Sequence, residues 1–428
     1  MRPEELKNYP WPRNKVLCMD AKSFYASCEA AAHGLDPLND YIAVVGDLNR
    51  PGSVVLASSP KMKKEFGIKT GSRNYMLNDL PRDKKIHVFQ ARMKLYLDIS
   101  MQITRTLNNF APIEAIHVYS VDETFVTCDG LERLFGEPEE IAKMMQEQIW
   151  HEFGIYTAYG IGENKLQSKL CLDILAKKSD SGIASVTYED FSKKLWGTPI
   201  GDVWGVGSRM KNHLTRMGIM TLGSLAKYPI EMLRKRWGVI GEQLWYHAHG
   251  IDLSPTLFDP ETNDVQKGFS QGITLLRDYD RESEVKTVIL ELVEECCRKA
   301  RKAKKAGRTI SLGIGYSHDL GGGGFGRSIT VDTPTNITQD VYEACLKLFK
   351  QNYNGSVVRN VHVSLTKLTD EYVYQLDLFD DKTKQKDLAK AMDSIRERFG
   401  STAILRAASF TKGGTMIERS AMIGGHRA

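Results

Sequence analysis

No stretch of this sequence stays apolar for the ~18–20 residues of a membrane span, and its opening, MRPEELKNYPWPRNK, lacks the apolar core of a secretion signal. Insertion and export are therefore not expected. Cysteine is scarce: seven residues, an odd number, with no CxxC pair, so neither a disulfide framework nor a zinc site is indicated and a reducing cytoplasm is the expected compartment. Of ten histidines only His247 and His249 lie close together, with no third ligand nearby, which excludes a histidine metal centre. Charge of one sign is also missing in bulk. Fifty-eight Lys and Arg against 53 Asp and Glu leave +5, so an anionic partner is permitted and only the local distribution can argue for one. No long repeat is visible. With 42% hydrophobic residues disorder is excluded, and 428 residues exceed one core, predicting two to four domains.

What is present is a succession of different periodicities. Residues 15–20 (KVLCMD) read as a buried strand carrying Asp20 to its tip, and 23–32 as a helix with small residues on one side. Short β-rich runs between 41 and 88 surround a basic helix, KMKKEFG, closed by Gly67, which predicts a small inserted subdomain. An amphipathic helix beyond Arg92 leads into 116–128, read as one alternating strand with Asp122 and Glu123 embedded in it. Helices at 139–153 and 164–177 flank the strand-like IYTAYGIG, giving an α/β unit. From 181 to 249 the pattern predicts helix throughout. Inside it, 200–207 (IGDVWGVG) run into a helix stopped at Gly218, the outline of a helix-hairpin-helix. Gly205 and Gly207 would let backbone N–H groups approach phosphate, although a plain helix–helix turn has the same spacing.

Past a polar linker near 254–264 the predicted order is strand 267–276, helix 281–305, strands 309–316 and 326–331, helix 337–350 and strand 357–366, a β-α-β-β-α-β domain. Alternation of Ile310, Leu312, Ile314 and Tyr316, and of Val361, Val363 and Leu365, leaves one sheet face buried and one free to meet a partner. Seven of the eleven residues from 298 to 308 are basic (Arg298, Lys299, Arg301, Lys302, Lys304, Lys305, Arg308), either a phosphate-binding field or a solvated helix end. Leu388, Met392, Ile395 and Phe399 then form an apolar helical stripe ended by Gly400.

Asp20 at one strand tip and Asp122 and Glu123 in another supply three carboxylates that can converge, and such hard oxygen donors suit Mg²⁺. Spacing alone equally allows solvent-facing acids. The surrounding wording is more specific. Residues 19–29 (MDAKSFYASCE) and 119–125 (YSVDETF) resemble the two catalytic motifs of Y-family (translesion) DNA polymerases, and 160–169 (GIGENKLQSK) resemble a third element of that family, in the expected order. The resemblance runs over roughly residues 15 to 380 and is closest to the bacterial UmuC-like and UvrX-like branch.

The resemblance implies an α+β multidomain, right-hand-like polymerase: palm at 1–31 and 91–180, fingers at 32–90, a helix-hairpin-helix thumb at 181–252, a linker at 253–264, a β-α-β-β-α-β little finger at 265–374, and a clamp-binding peptide, helix and tail at 375–428. It implies a DNA-directed DNA polymerase extending primers past damaged bases by two-metal nucleotidyl transfer, with Mg²⁺ as two ions and Mn²⁺ able to substitute. Asp20 and Asp122 would bridge the metals, Glu123 would hold the catalytic one, and the Ala21 carbonyl would complete the nucleotide metal. Tyr25 falls on the steric gate. Phe24 beside it is counted with the nucleotide, core packing being its alternative. Ser58, Lys61, Lys64 and Lys169 would face the triphosphate, while Lys165 would fix its loop. Gly205, Gly207 and the basic cluster would meet DNA, with Arg327 and Lys367 added from strand ends. Gln375, Leu376, Leu378 and Phe379 match the QLxLF peptide that docks on a sliding clamp; finishing an amphipathic strand is the other reading. Primer–template DNA, dNTPs and the clamp (its beta subunit) are the implied partners of a bacterial cytoplasmic monomer with no membrane partner, and the need for an accessory subunit stays open. No acidic exonuclease motif and no room for that domain imply low fidelity without proofreading. The competing reading is a non-catalytic clamp- and DNA-binding scaffold at stalled forks.

Overall fold

In the computed structural model, which describes residues 9–257, 266–371 and 382–427, the first apolar run forms β1 (Val16–Ala21). It is the middle of five strands, and Val16, Leu17 and Cys18 are fully buried because both sheet faces are covered. α1 (Phe24–His33) follows at once, closed by Gly34 in the left-handed conformation. β2 (Tyr41–Val45), β3 (Val55–Ser58) and β4 (Ile86–Gln90) make a separate three-stranded sheet with β2 central, antiparallel to β3 and parallel to β4. α2 (Pro60–Phe66) lays Met62 into that sheet's core of Tyr41, Ala43, Val45, Val55 and Ile68. α3 (Met93–Leu107) leads back to the first sheet.

Residues 116–128 are not one strand. They fold as a hairpin of β5 (Ile116–Val118) and β6 (Glu123–Thr127), because the Ser120 hydroxyl accepts from the Glu123 N–H while the Tyr119 and Ser120 N–H groups donate to the Glu123 carbonyl. Asp122 therefore lies in the turn and Glu123 opens the strand. α4 (Pro138–Phe153), β7 (Thr157–Gly162) and α5 (Lys165–Ile174) follow. A Cβ at Gly160 would stand 2.2 Å from the Ser168 carbonyl, so this glycine lets α5 lie directly on β7.

The stretch after 181 is not helical throughout, since β8 (Ile183–Ser185) first adds a parallel edge strand, giving the order β5-β6-β1-β7-β8. Three residues are too few to register as alternation. Then come α6 (Tyr188–Leu195), α7 (Ser208–Arg216), α8 (Leu222–Ala226), α9 (Ile230–Trp237) and α10 (Val239–Ala248), around Leu195, Ile200, Leu214, Leu222, Leu233 and Trp245.

Residues 264–425 form a second compact unit. Its elements are β9 (Gly268–Tyr279), α11 (Glu282–Lys302), β10 (Lys305–Tyr316), β11 (Gly324–Thr335), α12 (Thr338–Asn352) and β12 (Val358–Asp370), the β-α-β-β-α-β order read from the pattern. The sheet is antiparallel, ordered β11-β10-β12-β9, and Ile310, Leu312, Ile314, Val361, Val363 and Leu365 all point to the helical side. On α13 (Thr383–Phe399) the expected apolar stripe does not act as core: Met392 is buried, but Leu388, Ile395 and Phe399 are exposed.

Buried glutamates and their polar partners take part in this layer instead. α11 buries Glu291 and Glu294, whose partners come from beyond α12. Thr415 donates its N–H and hydroxyl to Glu291 at 2.9 and 2.7 Å, while Arg396 and Arg406 lie 3.2 and 3.1 Å from Glu294. Arg396→Ala is expected to destabilise the unit by about 3–5 kcal/mol, because it leaves a buried charge short of its partner. Hydrogen exchange along α11 measures it; unchanged protection would contradict this view of the layer. All seven cysteines are buried and free, with burial pushing the Cys171 thiol up to about 12. Among the described residues no helix is long and apolar enough to cross a membrane.

Candidate active site and nucleic-acid interface

Antiparallel pairing brings the predicted acids together. In the register of β1 and β6, Asp20 stands opposite Glu123, and the Ala21 N–H donates to the Asp122 carbonyl at 2.9 Å. Asp122 is fixed by the Ser120 hydroxyl, which donates to its Oδ1 at 2.6 Å. Lysines close the other side. Lys169, nearly buried on α5, contacts Glu123 and lies 3.0 Å from Asp173, one turn along the helix. Lys177 lies 2.9 Å from both Asp20 and Asp173. Among the described residues, no three His, Cys, Asp or Glu side chains are drawn together as a formed metal site; the lysine ammoniums rest on the carboxylates.

Electrostatics record the crowding. Burial above all pushes the Asp20 carboxyl up to about 6; Lys177 pulls it down, and Asp122 and Glu123 push it up again. On Lys177 burial acts to lower the ammonium's value, but Asp20 and Asp173 outweigh it and the net direction is up. Lys169 follows the same logic, burial being outweighed by Glu123 and Asp173. These pairs are mutually charged and well held.

Tyr25 is half-buried on α1, and its phenol is raised by burial and then by the Asp122 charge. Phe24 is only 3% exposed and belongs to the core, not to a ligand surface. Two of the expected triphosphate ligands face elsewhere. Ser58 is fully buried and donates to the Ile68 carbonyl, and Lys61 lies over the Tyr41 ring at 4.3 Å. Lys64 is exposed with no contact to the acids, whereas Lys63, passed over in the sequence, donates to Ser23 at 2.8 Å within the field of Asp20 and Lys177. Lys165 lies 3.0 Å from His117 Nδ1, away from the carboxylates. Lys63 and Lys177 gave no sequence signal beyond being basic.

The basic cluster is largely consumed internally. Arg298 pairs with Glu295, Arg301 is buried against Asp393 at 2.6 Å, Lys302 lies 3.7 Å from Glu397, and Lys305 is 2.7 Å from Asp370. Arg301 therefore cannot meet a ligand, and Lys299, Lys304 and Arg308 are the exposed remainder. Arg327 is exposed but stands opposite Leu312, on the helical side of the edge strand; Lys367 is exposed in a left-handed conformation. What the sheet leaves open is a face of small polar residues. Ser328, Ser311, Ser364 and Ser270 align across four strands, with Gly326, Gly313, His362 and Gly272 in the next aligned row. In the helical region Gly205 has φ 88°, which explains that glycine, but Gly207 has ordinary φ and open space where a Cβ would go. Nothing inside the chain requires a glycine there. The QLxLF peptide, with Gln375, Leu376, Leu378 and Phe379, lies outside the described residues.

Residues 19–173 match the impB/mucB/samB family, 266–378 that family's C-terminal domain, and 201–252 the DNA polymerase-iota thumb domain. The chain is 50% identical to "Putative UV-damage repair protein UvrX" of Bacillus subtilis (strain 168), covering 98% of this chain and 99% of that one. It is 42% identical to "DNA polymerase IV 2" of the same organism, over 96% and 98% of the two chains, and 35% identical to "DNA polymerase IV" of Moorella thermoacetica, over 94% and 97%. Among solved structures a Y-family DNA polymerase chimera superposes with a TM-score of 0.65 at 19% identity, covering 83% of this chain and 99% of the other, a likeness of fold.

Proposed function

The chain belongs to the impB/mucB/samB family of bacterial Y-family translesion DNA polymerases, and from that premise we propose that its DNA-directed polymerase activity is carried by Asp20, Asp122 and Glu123. The observation that carries this assignment is the register of β1 and β6, which sets Asp20 opposite Glu123, with Asp122 tied from the turn to Ala21 by its carbonyl. Carboxylate and carbonyl oxygens are the donors that Mg²⁺ or Mn²⁺ takes, so Asp20, Asp122, Glu123 and the Ala21 carbonyl would hold two such ions, which would activate the primer hydroxyl and stabilise the leaving phosphate.

The chain's own residues supply the rest. Lys169 and Lys177 stand where a triphosphate's charge would draw their ammoniums off the carboxylates, and Lys63 where it would draw its ammonium off the Ser23 hydroxyl. The Tyr25 ring lies under the sugar and excludes a 2′-hydroxyl. Gly207 opens the first turn of α7 to a DNA phosphate. The hydroxyl-lined sheet, with no acidic side chain along its Ser and Gly rows and His362 as the larger residue in the second, lets a duplex backbone approach closely whatever its sequence. Synthesis of this kind runs without proofreading and at low fidelity in the bacterial cytoplasm.

Extension by the purified chain across a panel of damaged template bases tests the bypass reading. Products longer than the lesion position are expected for at least one lesion; a stop at every lesion, with undamaged template copied normally, would remove translesion synthesis.

We also propose that residues 375–379 dock on the sliding clamp, with Leu378 and Phe379 as apolar anchors. Replacing both by Ala is expected to spare clamp-free extension, leave the melting temperature unchanged and abolish clamp stimulation, because tethering alone raises local concentration. Retained pull-down by the clamp, or a large fall in melting temperature, would refute the docking peptide.

A further inference from the structure

The Tyr25 ring is backed by another ring. Tyr96 on α3 stacks on it with centroids 4.4 Å apart and planes 15° from parallel. Tyr96 is fully buried, and its hydroxyl donates to Glu29 Oε1 at 2.7 Å. Glu29, also fully buried, sits four residues after Tyr25 on α1, on the same helical face. Arg92, four residues before Tyr96, closes the group with a two-point grip on the Glu29 carboxylate, its Nε donating at 3.0 Å and its Nη2 at 2.5 Å. The Tyr96 phenol is raised by burial and then by Glu29, so it stays protonated and remains the donor.

Core filling alone does not account for this arrangement. A buried carboxylate is costly unless its charge and lone pairs are met, and an aliphatic pair would fill the same volume without that cost. What the hydrogen bond adds is orientation: it fixes the plane of the Tyr96 ring, and a fixed ring leaves its stacked neighbour one tilt.

We propose that Tyr96, held by Glu29 and Arg92, is the platform that fixes the Tyr25 ring and thereby sets how strictly this polymerase rejects ribonucleotides. The proposal rests on the reading of Tyr25 as the sugar-excluding ring. Tyr96 is a positioning residue, acting only through Tyr25. A gate free to tilt yields to a 2′-hydroxyl, whereas a deoxy sugar needs no such yielding, so selectivity falls before the rate of correct addition does.

The test is a double-mutant cycle on the full chain, reading the ratio of kcat/KM for a dNTP over its rNTP on undamaged primer–template. Tyr96→Leu is expected to lower that ratio between about threefold and tenfold, the scale of one aromatic stack. Tyr96→Phe keeps the stack but loses the hydrogen bond that fixes the ring's plane, so it is expected to lower the ratio, and by less than Tyr96→Leu does. Adding Tyr96→Leu to Tyr25→Ala is expected to cause no further loss. Should Tyr96→Leu not fold, Tyr96→Met fills the volume and serves in the same cycle. A folded Leu or Met variant with the wild-type ratio, or one whose loss adds fully to that of Tyr25→Ala, overturns the platform. If Tyr25→Ala itself leaves the ratio unchanged, the gate reading fails instead, and the two failures are told apart.

Discussion

Asp122→Ala is expected to bind primer–template as the wild type does and to extend it at least about a thousandfold more slowly, a loss of roughly 4 kcal/mol of transition-state stabilisation. Asp122 is the acid held by the Ser120 hydroxyl and by its own carbonyl's bond to Ala21, so its position is set by the hairpin and no neighbour can take its place. Removing it leaves the strand pairing of β1 and β6 intact. It also relieves repulsion, since the Asp122 charge is one of those that push Asp20 up. The variant is therefore expected to melt no lower than wild type when divalent ions are chelated. Rapid-quench extension and thermal melting read the two effects; a slow enzyme that is also unstable would point to a structural acid.

Tyr25→Ala is expected to lower the preference for deoxynucleotides by about tenfold to a hundredfold while deoxynucleotide addition continues. The ring is half-buried within the field of the Asp122 charge and stacked from behind, so it presents a hard wall and not a hydrogen-bonding group. Steric exclusion is lost with the ring. Competition between a dNTP and its rNTP measures the change, and an unaltered ratio would mean that the 2′-position is read by another side chain.

Asp20, Asp122, Glu123 and Tyr25 are legible in the sequence because each lies in a short contiguous run whose neighbours identify it. The β-α-β-β-α-β order is legible for a related reason: strict alternation over Ile310–Ile314 and Val361–Leu365 reports a sheet with one covered face. Contacts between distant segments are not. Lys177 reaches Asp20 across 157 positions of chain, which no local pattern encodes. Lys63 and Lys61 differ only in the rotation of α2, about 100° per residue, and the sequence does not say which side of that helix faces the acids. Arg301 and Lys305 look like DNA ligands until Asp393 and Asp370 arrive from later in the chain. On α13 it is Arg396, not most of the apolar stripe, that turns inward, 3.2 Å from the buried Glu294 of α11, a contact no local pattern encodes.

Template-directed synthesis at Asp20 on β1, Asp122 in the β5–β6 turn and Glu123 on β6 is the activity proposed for this chain. It is tested most directly by giving the purified chain a primer–template, Mg²⁺ and one dNTP at a time while the templating base is varied. The complementary nucleotide is expected to be added in preference at each base, chelation to stop addition, and restored Mg²⁺ to revive it. A chain that binds the primer–template tightly yet adds no nucleotide, under any template base or divalent ion, would contradict it.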